Sequence, residues 1–545
     1  MTAMHRLKNA GIALSLANLC FFSVWAQLLP GAYGHYFLKS PPTVAMHVAV
    51  MLDLLVLTAV FWLLTRLARR SRRGWLLTLA QLTFLLVLCS ALNVVRHHYR
   101  PFLAGQPLLV SAAWPPVLKI MLLGVALVML LRWFRPAIRV ATCVALLLLP
   151  FALVTIPQAA WAAIKVSRHA PFAAFADKPP APPLPVKAGA PRVLWFLFDG
   201  LDYRLTFVER SPTLHMPNVD RFRSQALAAT HAYSPAGNTI LSVPALLTGR
   251  PIEDARPVRA NELMLKLSDA TEPVGWSTLP NIFSGAQALG FNTAVVGYCH
   301  PYCRMFGQQL TQCSWETDWW QPIGLDDPDM TVPDIMLRLV PRVADSLREG
   351  VPVVNRWPLF SSLGSLLQPK RDPHQHRREH ITRYLRTVEM ARRAATDPSL
   401  GLVLVHWPIP HWPMIYNRFK EDFNWQGEST YTDNLALVDR TLGEMRHAME
   451  QAGTWEATTI VMTPDHWFDR HDRTDRRVPF VLKLAGQREP ATYDPPFNTL
   501  LLHDLVLAVL RGELSAPKQV AWWLDANRAR VATPVPESRQ QETSP

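Results

Sequence analysis

Hydrophobic residues are distributed unevenly along the 545-residue chain, and this distribution divides it in two. The first 165 residues contain long apolar stretches separated by basic clusters, whereas the remainder alternates short apolar runs with mixed sequence. Five stretches are about long enough to cross a bilayer: residues 10–30, 43–65, 75–95, 115–131 and 139–161. A cleaved signal peptide would not be followed by four more such stretches, so we predict a polytopic helical membrane domain with five helices over residues 1–165.

Basic residues in the short loops predict the orientation of this domain. Residues 66–73 contain five arginines, residues 132–139 contain three, and the N-terminus adds Arg6 and Lys8. With five spans these clusters share one side, which is the cytoplasmic side. The chain after the fifth span is then periplasmic, and the protein is expected in a bacterial inner membrane. The net charge of +13 is accounted for by topology and membrane-surface charge, so it requires no nucleic-acid partner.

The chain beyond the membrane domain divides into a linker, a body and a tail. Residues 166–190 are rich in Pro and Ala, which favours extended geometry and cannot form a core. We predict a catalytic domain over residues 191–528. Residues 529–545 are polar and contain Pro, which predicts a disordered tail.

Apolar runs within the body alternate with helical patterns, which predicts an α/β domain with a mainly parallel sheet sandwiched by helices. Each of four runs leads into residues that can bind metals or carry protons: 193–198 leads to Asp199, 292–296 to His300, 401–405 to His406 and His411, and 458–462 to Asp465 and His466. In open α/β sheets the ligand site lies outside the carboxyl ends of the strands, so these side chains are expected to converge.

The types of these residues suggest a metal site. Asp199, Asp465 and His466 offer two hard oxygen ligands and one nitrogen, and the hydroxyl of Thr239 completes a four-coordinate site that suits zinc, or manganese with added water. Each residue taken alone also has a structural interpretation, because an Asp before Gly often caps a turn and a single His is often a core or surface group. The adjacent pair Asp465-His466 directly after a strand is the more specific signal.

The stretch 238–250, Asn-Thr-Ile-Leu-Ser-Val-Pro-Ala-Leu-Leu-Thr-Gly-Arg, is typical of a loop that turns into a short helix. Thr239 just ahead of that helix is a candidate nucleophile, because the helix N-terminus can hold an anionic ester and a nearby cation favours ionisation of the hydroxyl. In the alternative interpretation Ser242 caps the helix, Pro244 lies in its first turn and Thr239 is an ordinary loop residue.

Five motifs in one order resemble the sulfatase-like branch of the alkaline phosphatase superfamily over residues 191–486. The motifs are the stretch ending Leu-Leu-Thr-Gly-Arg at 250, Pro-Asn-Val-Asp at 217–220, Gly-Tyr-Cys-His at 297–300, Pro-His-Trp-Pro at 410–413 and Thr-Pro-Asp-His at 463–466. The resemblance implies that Asp199, Asp465 and His466 bind a metal together with Thr239, the nucleophile. It also implies that His300 and His411 contact the anionic group of the substrate or a second metal.

Departures from the sulfatase pattern refine this expectation. A formylglycine sulfatase carries Cys or Ser, Arg, Asp and Lys where this chain has Thr239, Val243, Gly200 and Tyr298. Threonine is the nucleophile of related phosphoethanolamine transferases, lipoteichoic acid synthases and nucleotide pyrophosphatase-like phosphodiesterases. The first two also resemble this chain in having five N-terminal spans. Their first ligand is commonly Glu rather than Asp, which leaves the headgroup open.

The sequence and the resemblance together suggest a metal-dependent phosphotransferase. It would move a phospholipid headgroup to a periplasmic glycan or lipid through a phospho-threonine, with His300 or His411 protonating or orienting the leaving oxygen. A membrane-bound phosphodiesterase, phosphatase or sulfatase-like hydrolase is the alternative, and a non-catalytic sensor is a third class. Three cysteines, Cys299, Cys303 and Cys313, lie in the predicted periplasmic part, so we expect one disulfide of unassigned pairing.

The predicted topology can be tested with reporter fusions. A fusion after Lys165 should report a periplasmic location and a fusion at Ser71 a cytoplasmic one, because an Arg-rich loop stays inside. Alkaline phosphatase and fluorescent-protein reporters give opposite signals on the two sides and serve as each other's controls. Both fusions on the same side would contradict the five-span prediction.

Overall fold

The structure is a computed structural model that describes residues 3–29, 33–98, 116–166, 170–317, 330–349, 375–468 and 475–531. The chain forms two compact units. Met1–His35, Ser40–Ala173 and Pro322–Arg371 form the first, and Tyr36–Lys39, Ala174–Gln321 and Asp372–Pro545 form the second. The predicted tail lies almost entirely outside the described residues.

Helices and strands are numbered here in chain order. The helices are α1 Ala3–Cys20, α2 Phe22–Leu28, α3 Val44–Arg70, α4 Gly74–His98, α5 Pro116–Leu147, α6 Leu149–Val166, α7 Pro217–Arg223, α8 Thr239–Thr248, α9 Ile282–Ala288, α10 Tyr302–Phe306, α11 Val332–Glu349, α12 Gln375–Thr396, α13 Tyr431–Gln451, α14 Leu502–Leu510 and α15 Pro517–Asn527. The strands are β1 Val193–Asp199, β2 Leu227–Tyr233, β3 Ile252–Arg259, β4 Glu262–Leu267, β5 Val274–Gly275, β6 Thr293–Tyr298, β7 Gln312–Glu316, β8 Leu402–Pro410, β9 Tyr416–Asn417, β10 Asp422–Phe423, β11 Thr459–Pro464, β12 Arg477–Lys483, β13 Ala491–Tyr493 and β14 Phe497–Asn498.

The first unit is helical and contains α1 to α6 and α11. Among the described residues, three segments are long and apolar enough to cross a membrane: Val44–Arg70, Gly74–Arg96 and Arg132–Lys165. They coincide with the second, third and fifth predicted spans. The first predicted span is helical but divided into α1 and α2, and the fourth falls in the first half of α5. These helices suggest a membrane anchor, while the number of five spans and the orientation stay predictions.

The second unit is built on a sheet of nine strands with β1 near its centre. Strand β1 is parallel to β11 on one side and to β8 on the other, and β6 and β7 continue the parallel part beyond β8. Strand β12 is antiparallel to both β11 and β2. The prediction of an α/β domain with a mainly parallel sheet is therefore confirmed.

Both faces of β1 are buried, as its continuous apolar sequence predicts. Trp195 and the residues on the same face of β1 pack in a core that includes Leu246 of α8 and Leu505 of α14. Phe196 and the residues on its side pack in a second core with Leu435 of α13. Helices therefore cover the sheet on both sides, and the ends of the strands are left for the site.

The predicted linker includes a short 3-10 helix, Ala170–Phe175, and is held against the second unit from Ala174 onward. The amide of Lys178 donates to the carbonyl of Cys303 at 3.1 Å, and that of Ala181 donates to Leu310 at 2.8 Å. The amide of Leu184 donates to Asn292 Oδ1 at 2.7 Å. The Pro-rich composition predicted a segment without a core of its own, and residues 176–190 contain no strand or α-helix. It gave no sign of these contacts, because they use only main-chain groups of the segment.

The predicted catalytic domain of residues 191–528 is not one continuous piece. Residues Pro322–Arg371, with helix α11, belong to the first unit. Residues Tyr36–Lys39, from the predicted membrane domain, belong to the second unit.

A disulfide joins Cys303 to Cys313, with the Cα atoms 5.6 Å apart. This confirms the prediction of a single disulfide and assigns its pairing. Cys299 keeps its thiol and is buried. The bridge ties the start of α10 to β7, close to the loop that carries His300.

Replacing one partner of this disulfide should weaken the second unit. For Cys313→Ser we expect the free energy of unfolding to fall by about 2–3 kcal/mol, because the closed loop is short and the bridge limits the unfolded chain. Denaturant unfolding in detergent measures this change, with Cys143→Ser as the control. Non-reducing peptide mapping should recover the Cys303–Cys313 pair, and three alkylated thiols in this region would contradict the assignment.

Candidate metal centre and active site

The parallel pairing of β1 with β11 brings the first two acidic residues together. Phe198 of β1 is in register with Pro464 of β11, so Asp199 and Asp465 follow at the same edge of the sheet. The amide of Asp465 donates to the carbonyl of Phe198 at 3.1 Å, which continues the pairing beyond the strand. Both carboxylates are buried.

Asp199, Asp465 and His466 form a buried group whose ligand atoms all lie within 4.8 Å of one another. His466 Nε2 is 3.3 Å from Asp199 Oδ1 and 3.7 Å from Asp465 Oδ2. Asp465 Oδ1 accepts hydrogen bonds from the amides of Gly200 at 3.0 Å and His466 at 2.7 Å. The second oxygen, Oδ2, is buried with no hydrogen-bond partner in the described part of the chain. A buried carboxylate oxygen in this state fits a metal ligand.

The hydrogen bonding of His466 also fits a metal ligand. Its Nδ1 lies 2.7 Å from the carbonyl oxygen of Trp467. A carbonyl can only accept, so Nδ1 carries the proton and, in the neutral ring, Nε2 presents its lone pair beside the two carboxylates. Histidine ligands in proteins are commonly oriented in this way. The residues therefore fit a divalent cation with two oxygen ligands and one nitrogen ligand.

Charge in this group favours a cation. Burial alone would lower the pKa of His466, but the carboxylates of Asp465 and Asp199 raise it to about 10. Burial alone would raise the pKa of Asp199, but the imidazoles of His411 and His466 lower it below its usual range. Two carboxylates around one imidazole leave net negative charge in a buried place, which positive charge stabilises.

His411 reaches this group because β8 lies on the other side of β1. Pro410 is paired with Asp199, so His411 directly follows that pair. The His411 and His466 rings are 6.5 Å apart between centroids. A Cβ at Gly200 would lie at ordinary contact distance from both rings, 3.6 Å from His466 and 3.9 Å from His411, so it is the φ of +67° that favours glycine there. His411 Nδ1 lies 2.8 Å from the carbonyl of Trp412, which puts the proton on Nδ1 of the neutral ring.

Thr239 is the first residue of α8 and is partly exposed, whereas Ser242 and the rest of the helix are buried. Asn238 caps the helix, because its Oδ1 accepts from the amide of Leu241 at 3.1 Å. The alternative interpretation, in which Ser242 is the cap, is wrong. The Ser242 hydroxyl instead donates to the carbonyl of Ala236 at 2.7 Å. Pro244 lies in the second turn rather than the first.

The loop before Thr239 packs closely against the segment next to Asp199, Asp465 and His466, which together are called the metal group. A Cβ at Gly237 would lie 2.6 Å from the ring of Trp467, so only glycine fits there without displacing the indole. Trp467 directly follows His466 in the chain. The loop that carries the candidate nucleophile therefore packs on the segment that carries two of the predicted ligands.

His300 lies behind Thr239 and is fully buried. Its Nε2 is 3.3 Å from the main-chain carbonyl oxygen of Thr239, and its Nδ1 is 2.7 Å from the hydroxyl of Tyr36. Burial and the neighbouring His406 lower the pKa of His300 to about 3, so the ring is neutral. Both ring nitrogens are engaged with protein groups in this arrangement. The predicted contact of His300 with substrate stays a prediction.

His406 is close to the metal group. The sequence placed it among the strand-end residues that are expected to converge, but we assigned it no catalytic or ligand role. It lies on β8, fully buried, with Nε2 4.0 Å from Asp465 Oδ2 and Nδ1 3.1 Å from the Tyr302 hydroxyl. Burial lowers its pKa, which favours the neutral ring. The signal in the sequence was its place at the end of an apolar strand neighbouring β1, four residues before Pro410.

Comparison with known proteins agrees with this geometry. Residues 191–318 match the model of the family described as Sulfatase. The search of curated proteins gave no significant match. Among solved structures, Ps i-CgsB in complex with k-i-k-neocarrahexaose is similar at 15% identity and a TM-score of 0.40, covering 62% of this chain and 77% of its own.

Two further solved structures are similar at the same level. A protein in the alkaline phosphatase superfamily from Vibrio parahaemolyticus has 15% identity and a TM-score of 0.36, over 60% of this chain and 68% of its own. The phosphonate monoester hydrolase of Agrobacterium radiobacter has 15% identity and a TM-score of 0.35, over 59% and 74%. The assignment of the domain rests on the family match and not on these likenesses.

Residues 191–318 of this domain are therefore sulfatase-like by their family match. The buried Asp-Asp-His group lies on the same sheet, in the arrangement that the predicted motifs led us to expect. The matched segment contains Asp199 and Thr239, and the remaining predicted ligands come from β11 further along the chain.

Removing a predicted ligand should empty the metal site without unfolding the protein. We expect Asp465→Asn or His466→Ala to lower bound divalent metal per chain by about tenfold or more, because a first ligand is lost. Metal content after dialysis is measured by plasma mass spectrometry. Asp439→Asn is the matched control, since this buried carboxylate instead accepts from the Val219 amide at 2.8 Å. Equal metal content in all variants would contradict the site.

Proposed function

We propose that this protein is a metal-dependent, membrane-anchored phosphotransferase. It moves a phospholipid headgroup of the phosphoethanolamine or phosphoglycerol type to a periplasmic glycan or lipid through a phospho-threonine. One observation carries the proposal: a threonine starts the helix α8 at the nucleophile position of the sulfatase motif, and the loop before it packs on Trp467, which directly follows His466 of the buried Asp-Asp-His group. Threonine serves transfer of phosphoryl groups in the relatives that this sequence resembles.

The residues that replace the sulfatase side chains support phosphoryl over sulfuryl chemistry. Val243 is packed in the hydrophobic core where a sulfatase has Arg. Tyr298 is buried, with its ring 5.9 Å from that of His406, where a sulfatase has Lys. Neither side chain can supply the cation that holds a sulfate group. In this proposal positive charge comes from the metal site and from the amides at the start of α8.

The first step forms a bond between the Thr239 oxygen and phosphorus and breaks the bond to the diacylglycerol oxygen. Asp199, Asp465, His466 and the Thr239 hydroxyl would hold a divalent cation, which supplies Lewis-acid stabilisation of the ionised hydroxyl. The amides of the first turn of α8 face the developing negative charge. His411 can move a proton through Nε2, because its Nδ1–H is held by Trp412. Diacylglycerol leaves with a proton.

The second step resolves the phospho-threonine. The acceptor hydroxyl attacks phosphorus and loses its proton to His411, and the displaced Thr239 oxygen takes that proton up from His411. The enzyme returns to its starting state, and no oxidant or nucleotide is consumed. Partial exposure of Thr239 suits two successive substrates that use one face.

The apolar N-terminal helices support transfer from a lipid donor. A donor that exists in a bilayer is concentrated at an enzyme anchored in the same bilayer. In this proposal the anchor lies in a bacterial inner membrane with the second unit in the periplasm. The acceptor is then a periplasmic glycan or lipid.

Hydrolysis is the second candidate function, and the Sulfatase family match favours it. Water in place of the acceptor hydroxyl would make the same site a phosphodiesterase or phosphatase. Purified protein with labelled phospholipid in vesicles separates the candidates. Diacylglycerol with a modified acceptor supports transfer, and free headgroup phosphate supports hydrolysis. No metal-dependent turnover would support a sensor and overturn both.

Thr239→Ala should abolish turnover while the fold survives. We expect a loss of about three orders of magnitude or more in kcat, because the atom that carries the phosphoryl group is removed. Thr248→Ala on the same helix is the matched control. Its hydroxyl donates to the carbonyl of Pro244 at 2.7 Å, so only a local hydrogen bond is lost.

Mass spectrometry of wild-type protein given donor without acceptor should find a phosphoryl adduct on the peptide that contains Thr239. An adduct on Ser242, or Thr239→Ala with near wild-type activity, would contradict the assignment of the nucleophile.

A further inference from the structure

A four-residue segment between two N-terminal helices belongs to the catalytic unit. Residues Tyr36–Lys39 follow α2 and precede α3 in the chain, yet they cluster with the sheet of the second unit. Tyr36 is fully buried in the same core as Trp276 and Tyr302. Neither the motifs nor the family match, which starts at residue 191, includes this segment.

The main chain of the segment is fixed by a buried arginine. Arg304 Nη2 donates to the carbonyl of Lys39 at 2.6 Å, and Arg304 Nε donates to the carbonyl of Phe175 at 3.0 Å. The Lys39 ammonium lies 4.3 Å from the ring centroid of Trp315 and donates to the Trp315 carbonyl. Arg304 is next to Cys303, so the disulfide to Cys313 also stabilises this anchor.

Two hydrogen bonds connect Tyr36 to the candidate nucleophile through His300. The Thr239 carbonyl can only accept, so His300 Nε2 carries the proton and donates to it at 3.3 Å. His300 Nδ1 is then an acceptor, and the Tyr36 hydroxyl donates to it at 2.7 Å. Trp276 packs edge-on against the His300 ring with the centroids 5.0 Å apart. The Thr239 carbonyl thus selects the tautomer, and the Tyr36 hydroxyl stabilises it by donating to Nδ1.

We propose that Tyr36 is a positioning residue for the nucleophile Thr239. Its hydroxyl stabilises this tautomer and fixes the orientation of His300, which holds the Thr239 carbonyl and with it the first residue of α8. Without that hydroxyl, the buried Nδ1 loses its donor, and the His300 ring can turn and lose the bond to Thr239. This inference rests on the proposed function, and it adds a residue from the N-terminal part of the chain to the site.

This inference is tested by measuring kcat and KM separately for the full-length protein and its variants. For Tyr36→Phe we expect kcat to fall by about tenfold to a hundredfold, because a displaced nucleophile loses its attack geometry. KM and bound metal should stay within about twofold of wild type, since the substrate is not touched and Asp199, Asp465 and His466 keep their places. Turnover is measured with labelled phospholipid and with an aryl phosphodiester that needs no acceptor.

Tyr384→Phe is the matched control. Tyr384 is also fully buried, and its hydroxyl is 2.7 Å from the Thr441 hydroxyl, between α12 and α13. Both variants lose one buried hydrogen bond and should lose similar thermal stability. Equal kcat losses in the two variants would overturn the inference.

A double-mutant cycle with His300→Gln tests the route of the effect. If Tyr36 acts through His300, then adding Tyr36→Phe to His300→Gln should lower kcat by less than about twofold further. Additive losses would mean that Tyr36 acts elsewhere, and the inference would fail.

Hydrogen exchange separates this inference from the proposed function. The peptide that covers residues 237–247 should exchange faster in Tyr36→Phe than in Tyr384→Phe, because the start of α8 loses its support. This result is expected whether the enzyme transfers, hydrolyses or turns over no substrate offered. Equal exchange in the two variants would overturn the role of Tyr36 even where lipid transfer is observed.

Discussion

Two carboxylates buried side by side are the constraint on which the site depends. The register of β1 and β11 fixes Asp199 next to Asp465, and neither can move without breaking the centre of the sheet. Like charges in a buried place repel strongly, so the fold must supply positive charge there. The amides of Gly200 and His466 supply part of it at one oxygen of Asp465. His466 or a bound cation supplies the rest of the positive charge. This requirement for positive charge is the physical basis of the candidate metal site.

Packing contacts rather than charge position the segment that carries the candidate nucleophile Thr239 relative to these two carboxylates. Gly237 lets the loop before Thr239 lie against Trp467, and Asn238 ends that loop by capping α8. His300 holds the Thr239 carbonyl from behind. Thr239, the candidate nucleophile, is thus left partly exposed on a buried support. Such an arrangement keeps the atom that reacts in place while substrates exchange in front of it.

The second unit, which carries the candidate site, is formed by three separate segments of the chain. Its boundaries therefore differ from those of the family match. The family match covers residues 191–318, but His411, Asp465 and His466 lie beyond it and Tyr36 lies before it. The segment after Ala174 is bound to the unit through main-chain hydrogen bonds. A definition of the domain by sequence match alone therefore leaves out both predicted ligands and supporting contacts.

The sequence by itself determined the fold class, the strands β1, β6, β8 and β11, and the predicted ligands Asp199, Asp465 and His466. Each of these strands and ligands can be predicted from a short local pattern, an apolar run that ends in a polar residue. The order of these runs along the chain then indicates the fold class. Only the tertiary structure decided that Asn238 and not Ser242 caps α8, that Cys303 pairs with Cys313, and that His406 lies at the metal group. It also decided that Tyr36 supports His300, 264 residues away. These features depend on which distant side chains meet, and that is fixed by packing between strands and loops and not by any local pattern.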